Sequence, residues 1–211
     1  MENSQILPDE GGLLLSDYVK PSQDGRENLE ADVPVAVYRL LEYSMREELA
    51  QRLGQEEQIE IFRGAGFRAG TFFARHYLDL TLDFSGFTAQ LQRRLEELKI
   101  GVLRLESAEE DTGRIFLTMS EDADCSGLPM LGRTVCNYDE GFLAGVLTAY
   151  TGRDYTAVEV TPATGCAASR RTYRTRKGKG PRWICKTTKT ANRGRCPSPA
   201  ARWALRRAAG S

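Results

Sequence analysis

An α+β fold, helices packed on a small antiparallel sheet, is what this 211-residue chain predicts, and changes of period along it are the reason. Apolar residues recur at three- and four-residue steps through most of the first hundred positions, then at every second position between 103 and 119. Helical spacing returns near 137 and yields to alternation by 155. Helices first, then a hairpin, then one helix and one strand is an α+β order; alternating βαβ units would read differently.

Residues 1–31 read as a flexible arm, because Pro8, Gly11, Gly12, Pro21 and Gly25 interrupt any periodic pattern. Asp32 is a helix cap, and Pro34 sits in the first turn, where a missing N–H costs nothing. Val37, Leu40, Leu41, Met45, Leu49 and Leu53 form one apolar stripe and predict a helix that buries them, ended by Gly54. A second helix is predicted from about Glu57 to Tyr77, with Ile59, Phe62, Gly66, Ala69 and Phe73 on one face. A third begins near Ser85 and turns Phe87, Leu91, Leu95 and Leu98 inward. Leu103 and Leu105, then Ile115, Leu117 and Met119, mark two strands joined by a loop from Glu109 to Gly113. The fourth helix runs from Asn137 or Asp139 to Gly152, and a strand from Tyr155 to Thr161 places Glu159 opposite Val158 and Val160.

Charge divides the chain. The formal net charge is +0, from 29 Lys+Arg and 29 Asp+Glu, yet 14 of the basic residues and none of the acidic ones lie from Thr161 onward. The residues before Thr161 therefore hold 15 basic and all 29 acidic residues, a net of −14. An acidic domain over 32–161 precedes a basic tail over 162–211, read as disordered or as the product of a shifted reading frame near codon 161. A genuine basic extension is the alternative; the coding DNA in its other two frames decides between them. Tyr173, Trp183 and Trp203 among the tail's Lys and Arg suit phosphate contacts, but no nucleic-acid fold accompanies them, and nucleic acid is not the expected partner. No apolar run reaches the roughly 18 residues of a membrane span, and Gly11–Leu15 is too short for a signal-peptide core. The expectation is a cytoplasmic protein.

Catalytic patterns are thin. Gly64-Ala65-Gly66-Phe67-Arg68-Ala69 matches a dinucleotide fingerprint, but the helical apolar spacing runs straight through it, so these read as helix-packing glycines. His76 is the only histidine and has no nucleophile near it in sequence. An enzyme is not the favoured reading, and no catalytic residue is assigned.

The richer segment is Asp124-Cys125-Ser126-Gly127-Leu128-Pro129, followed by Cys136-Asn137-Tyr138-Asp139-Glu140-Gly141-Phe142-Leu143-Ala144-Gly145 and, further on, Glu159. Cysteines 125 and 136 with a carboxylate suit four-coordinate zinc; small buried thiols are the competing reading, since none of the five cysteines forms a CxxC pair. Gly141 and Gly145, four apart, allow close packing within the core or across a dimer interface.

This run resembles the C-terminal half of the 4-vinyl-reductase (4VR) domain family, and the resemblance extends from about Asp32 to Val160. It implies a small-molecule-binding domain that often dimerises and acts through a partner protein, related to the ligand modules of aromatic-sensing transcription activators and to a vesicle-tethering subunit that holds an acyl chain. One branch is linked to vinyl-group reduction in bacteriochlorophyll synthesis, which makes a reductase or accessory factor the alternative function. The resemblance implies an apolar or aromatic ligand, with Phe73, Tyr138 and Phe142 as candidate liners, and a homodimer. It also implies zinc held by Cys136 and Glu159. Two further cysteines of the family pattern do not match: Pro162 stands at the first, and Gly165–Arg171 only approximates the closing strand. A replacement ligand would come from Cys125 or Cys166.

Overall fold

The computed structural model describes residues 14–19, 28–29, 32–109, 112–128, 134–161 and 201–208. After a single helical turn, α1 (Leu15–Tyr18), come α2 (Val35–Leu53), α3 (Gln55–Tyr77), α4 (Phe84–Glu97), β1 (Val102–Glu109), β2 (Arg114–Ser120), α5 (Asn137–Thr151), β3 (Tyr155–Thr161) and β4 (Ala201–Arg207). The α+β reading holds: helices lie against a four-stranded antiparallel sheet ordered β1-β2-β4-β3.

Local chemistry sets most boundaries. Gly54, at φ 89°, breaks the chain between α2 and α3. Asp83 caps α4 by accepting a hydrogen bond from the Gly86 N–H at 2.8 Å. Gly152 ends α5 in the left-handed region.

The tail reading does not hold for residues 201–207. They form β4, which pairs with β2 on one side and β3 on the other. Trp203 and Leu205 are fully buried, so the sheet is not left with β2 as an open edge. Residues 162–200 and 209–211, and Cys166 with them, lie outside the described residues. Register aligns Leu117, Trp203 and Glu159 across three strands, and Ile115, Leu205 and Ala157 beside them. These residues face the helices. Together with Phe73, Phe87, Leu91, Leu95, Leu143, Val146 and Leu147 they make the core, apart from Glu159.

Two further expectations are corrected. Leu98 is half exposed at the end of α4 rather than inward. More consequential, the apolar stripe of α2 faces out: Leu40 is 73% and Leu41 63% exposed, and Val37, Met45 and Leu53 are also exposed. The buried residues of that helix are Glu42 and Arg46. Its polar face has partners inside the fold, and its apolar face is uncovered among the described residues.

The glycines of α3 and α5 serve the core. A Cβ on Gly66 would stand 2.0 Å from the Tyr138 carbonyl oxygen, and one on Gly70 2.0 Å from that of Phe142. Seen from α5, a Cβ on Gly141 would meet the Arg63 carbonyl at 2.0 Å and one on Gly145 the Phe67 carbonyl at 2.2 Å. The two helices touch backbone to backbone. Gly64 and Gly66 sit mid-helix, so the dinucleotide-like run makes no phosphate loop.

Candidate functional site

The polar face of α2 closes over the segment that precedes α5. Arg39 donates to the carbonyl oxygens of Ala123 (2.6 Å) and Ser126 (2.8 Å). Tyr43 donates to Asp124 Oδ1 at 3.0 Å. Arg46 binds Glu42 Oε1 through Nε and Nη2 at 2.8 and 2.7 Å, reaches Asn137 Oδ1 at 3.2 Å and Asp124 Oδ2 at 3.5 Å, and lies over the Phe62 ring. The turn beneath is self-braced: the Asp124 N–H donates to Asp122 Oδ1 at 2.7 Å, and Ser126 N–H to the Asp122 carbonyl.

This clamp brings together groups far apart in sequence. Cys136 Sγ and Cys125 Sγ are 2.8 Å apart, both thiols buried. The potential ligand atoms of Asp122, Cys125 and Cys136 all lie within 4.8 Å of one another, and so do those of Asp124, Cys136 and Asp139. Burial, and then the charge of Glu42, pushes the Asp124 carboxyl up to about 8. Burial likewise raises Asp122 and, more strongly, Asp139. The hydrogen bond to Cys125 and then burial raise the Cys136 thiol. An apolar surrounding disfavours charge on every one of these groups.

Glu159 is 5% exposed and stands on the inner face of β3, while Val158 is 52% exposed on the outer one. As on α2, apolar residues, here Val158 and Val160, point out and an acid points in, while Tyr155 and Ala157 join the core. Glu159 lies close enough to Cys136 to act on it electrostatically, but it belongs to neither group of atoms within 4.8 Å. Of the four metal candidates, the fold thus brings Cys125 and Cys136 side by side with Glu159 nearby. The donor set suits zinc in kind, thiols and carboxylates. Sequence reasoning missed Asp122 and Asp139, because acidic residues in a loop and a first helical turn read as solvated surface.

A second feature adjoins the first. Between α3, α5 and β3 lies a cleft of about 230 Å³ lined by Arg63, Gly64, Phe67, Glu140, Gly141, Ala144, Tyr155, Thr156 and Ala157. Its walls are chiefly apolar. At one side the fully buried Glu140 accepts from Arg63 Nε at 2.8 Å and from the Glu159 backbone N–H at 2.7 Å. Phe73 and Phe142 pack on each other, ring centroids 5.3 Å apart, and Tyr138 lies against Gly66. None of these three candidate liners borders this cleft.

Comparison with solved structures bears on the fold. The phenol-responsive sensory domain of the transcription activator PoxR, solved with phenol, superposes with a TM-score of 0.55 at 12% identity, over 83% of this chain and 75% of that one. A vinyl-4-reductase family protein from Methanocaldococcus jannaschii gives a TM-score of 0.48 at 9% identity, over 88% and 90% of the two chains. The fold is the one the PoxR sensory domain has. Two curated relatives, the uncharacterized proteins MJ0150 and MJ1642 of Methanocaldococcus jannaschii, are 26% identical over 93 residues and 27% identical over 121 residues. These matches cover 44% and 57% of this chain, and the chain spans 53% and 64% of the relatives' own lengths. No family model matches the chain. No helix among the described residues is long and apolar enough to cross a membrane.

Proposed function

We propose that this 4VR-like domain binds a small apolar or aromatic molecule in the cleft between α3, α5 and β3 and signals its presence to a partner. The observation that carries the reading is the cleft's composition. Phe67, Ala144, Tyr155 and Ala157 give an apolar wall, and one ion pair, Arg63–Glu140, supplies the polar group that orients a ligand. The fold it shares with a phenol-responsive sensory domain supports this reading. Glu140 gives the cleft a route inward, since the same carboxylate holds Arg63 at the rim and the β3 backbone beneath. The test is calorimetric titration of the full chain with phenol and a graded series of alkylphenols, on the wild type and on Ala144→Phe, which fills the cleft. Saturable binding that the substitution abolishes supports the site; binding that survives Ala144→Phe places the ligand elsewhere, and no binding of any of the series rejects an aromatic ligand.

The domain acts as a homodimer in this reading, through the outward stripe of α2. Arg39, Tyr43 and Arg46 anchor the helix by its polar face to the turn before α5 and to Asn137, so it cannot roll to bury Val37, Leu40, Leu41 and Met45. A stripe of helical period on a 19-residue helix pairs with its own copy about a two-fold axis, which gives each leucine an identical partner surface.

A further inference from the structure

We propose that the main chain of Ala157, on the free edge of β3, selects what the cleft takes, a neutral molecule whose apolar body carries a hydroxyl group; this rests on the reading of the cleft as a ligand site. In the order β1-β2-β4-β3, β3 is an edge strand, bonded to β4 on one side. The ladder bonds of an antiparallel pair fall on alternate residues. The Ala208 N–H donates to the Asp154 carbonyl oxygen at 2.9 Å, and the register pairs Thr156 with Arg206 and Val158 with Ala204. Those even positions thus bond to β4, and the main-chain groups of Tyr155, Ala157 and Glu159 turn to the open side.

Helix α5 runs along that side and meets two of the three. Thr148 Oγ1 accepts from the Tyr155 N–H at 3.1 Å, and Glu140 Oε1 accepts from the Glu159 N–H at 2.7 Å. The two spacings match, since eight residues of helix rise about 12 Å and four of strand about 13 Å. Halfway between Thr148 and Glu140 comes Ala144, which this spacing sets opposite Ala157. An alanine side chain has no polar group to offer, and among the described residues nothing hydrogen-bonds the Ala157 N–H or C=O. Ala144 and Ala157 both line the cleft. The cleft therefore opens where α5 leaves the β3 edge unmet.

On one residue of an extended strand the N–H and C=O point the same way. The cleft thus offers a donor and an acceptor side by side, in a wall of Phe67, Ala144 and Tyr155. A hydroxyl answers both, accepting from the N–H and donating to the C=O. An ether leaves the carbonyl unmet and a hydrocarbon leaves both groups unmet, which is unfavourable in an apolar site. Charge disfavours an acid. Glu140 is 1% exposed and has the Arg63 guanidinium as its counter-charge; an anionic ligand competes for that guanidinium, and a buried carboxylate short of its partner is costly. An added peptide strand fits poorly, because α5 side chains already hold the amides of Tyr155 and Glu159 and strand addition needs a run of free ones.

The test uses 4-ethylphenol, 4-ethylanisole, ethylbenzene and 4-ethylbenzoate, which share one apolar body, each titrated calorimetrically into the full chain. 4-Ethylphenol should bind at least about tenfold more tightly than any of the others. Ala144→Ser gives α5 a hydroxyl opposite Ala157, as Thr148 has beside Tyr155, and should cut the preference for 4-ethylphenol over ethylbenzene to within about threefold. Amide exchange followed by NMR reads the same gap without a ligand. The Ala157 N–H should exchange at least about tenfold faster than those of Tyr155 and Glu159, and should slow with 4-ethylphenol but not with ethylbenzene. Equal affinities for 4-ethylphenol and ethylbenzene, both lost in Ala144→Phe, would overturn the hydroxyl while keeping the cleft as the site. Tightest binding of 4-ethylbenzoate would overturn it in favour of an anion on Arg63. Failure of all four to bind rejects the aromatic site and this proposal together, whereas an Ala157 amide as protected as its two neighbours in the free protein overturns the proposal alone. The ligand series and the exchange are read on the wild type, so a variant that fails to fold leaves both standing.

Discussion

Helix α3 is held on its two sides by opposite chemistry. Against α5 it presents glycines, and the helices meet at their backbones with no room for a methyl group. Near α2 it presents Phe62 beneath the Arg46 guanidinium, while α2 itself is seated by hydrogen bonds and an ion pair to the turn before α5 and to Asn137. The glycine seam is sensitive to added atoms. The ionic seat is sensitive to lost ones, because a buried charge without its partner costs far more than the pair contributes. Apolar periodicity therefore located the stripe of α2 but misassigned its side.

The largest effect should come from the ionic seat. Arg46→Met leaves Glu42 and Asp124 buried without their counter-charge and should destabilise the protein by about 3–5 kcal/mol in urea unfolding. Replacing Arg46 and Glu42 together by Leu should restore a good part of that loss, because the pair is then removed whole. A cost below about 1 kcal/mol for Arg46→Met would show that α2 is held by something other than its polar face.

The glycine seam should respond next. Gly66→Ala and Gly141→Ala each drive a methyl group into a carbonyl oxygen of the facing helix, at an expected cost of about 1–3 kcal/mol. That corresponds to a fall in Tm of about 2–4 °C for each kcal/mol in a chain of this size. Gly64→Ala is the internal control. Nothing lies within 4 Å of its added Cβ, and alanine is the better helix former, so it should gain up to about 1 kcal/mol. Equal losses at positions 64 and 66 would end the idea of a tight seam.

The smallest effect on stability, and the clearest on assembly, belongs to the outward stripe. Leu41→Glu exchanges an exposed side chain and should alter the stability of the isolated chain by no more than about 0.5 kcal/mol. Light scattering should nevertheless register a change from dimer to monomer. A wild-type monomer at micromolar concentration would mean that another surface covers α2.

What the sequence determined is what near neighbours decide. Gly54 and Gly152 ending helices, and the alternation of β1, β2 and β3, depend on steric and hydrogen-bond preferences within a few residues, and each is legible in order. The alternation of Trp203 and Leu205 with Arg202 and Arg206 was legible too. A basic composition averaged over the whole tail hid that seven-residue signal. Only the tertiary structure inserted β4 between β2 and β3, because pairing across such distances follows from the two free edges and the buried surface that Trp203 fills. The faces of α2 and β3 were decided the same way. A period fixes which residues share a face, and which face turns inward depends on the partners waiting there. Cys136, Cys125 and Glu159 could be picked out as chemistry-bearing types, whereas Asp122 and Asp139 acquired that meaning only when the fold placed their oxygens beside the thiols and excluded water, since an acid is ordinary in solvent and demanding once buried.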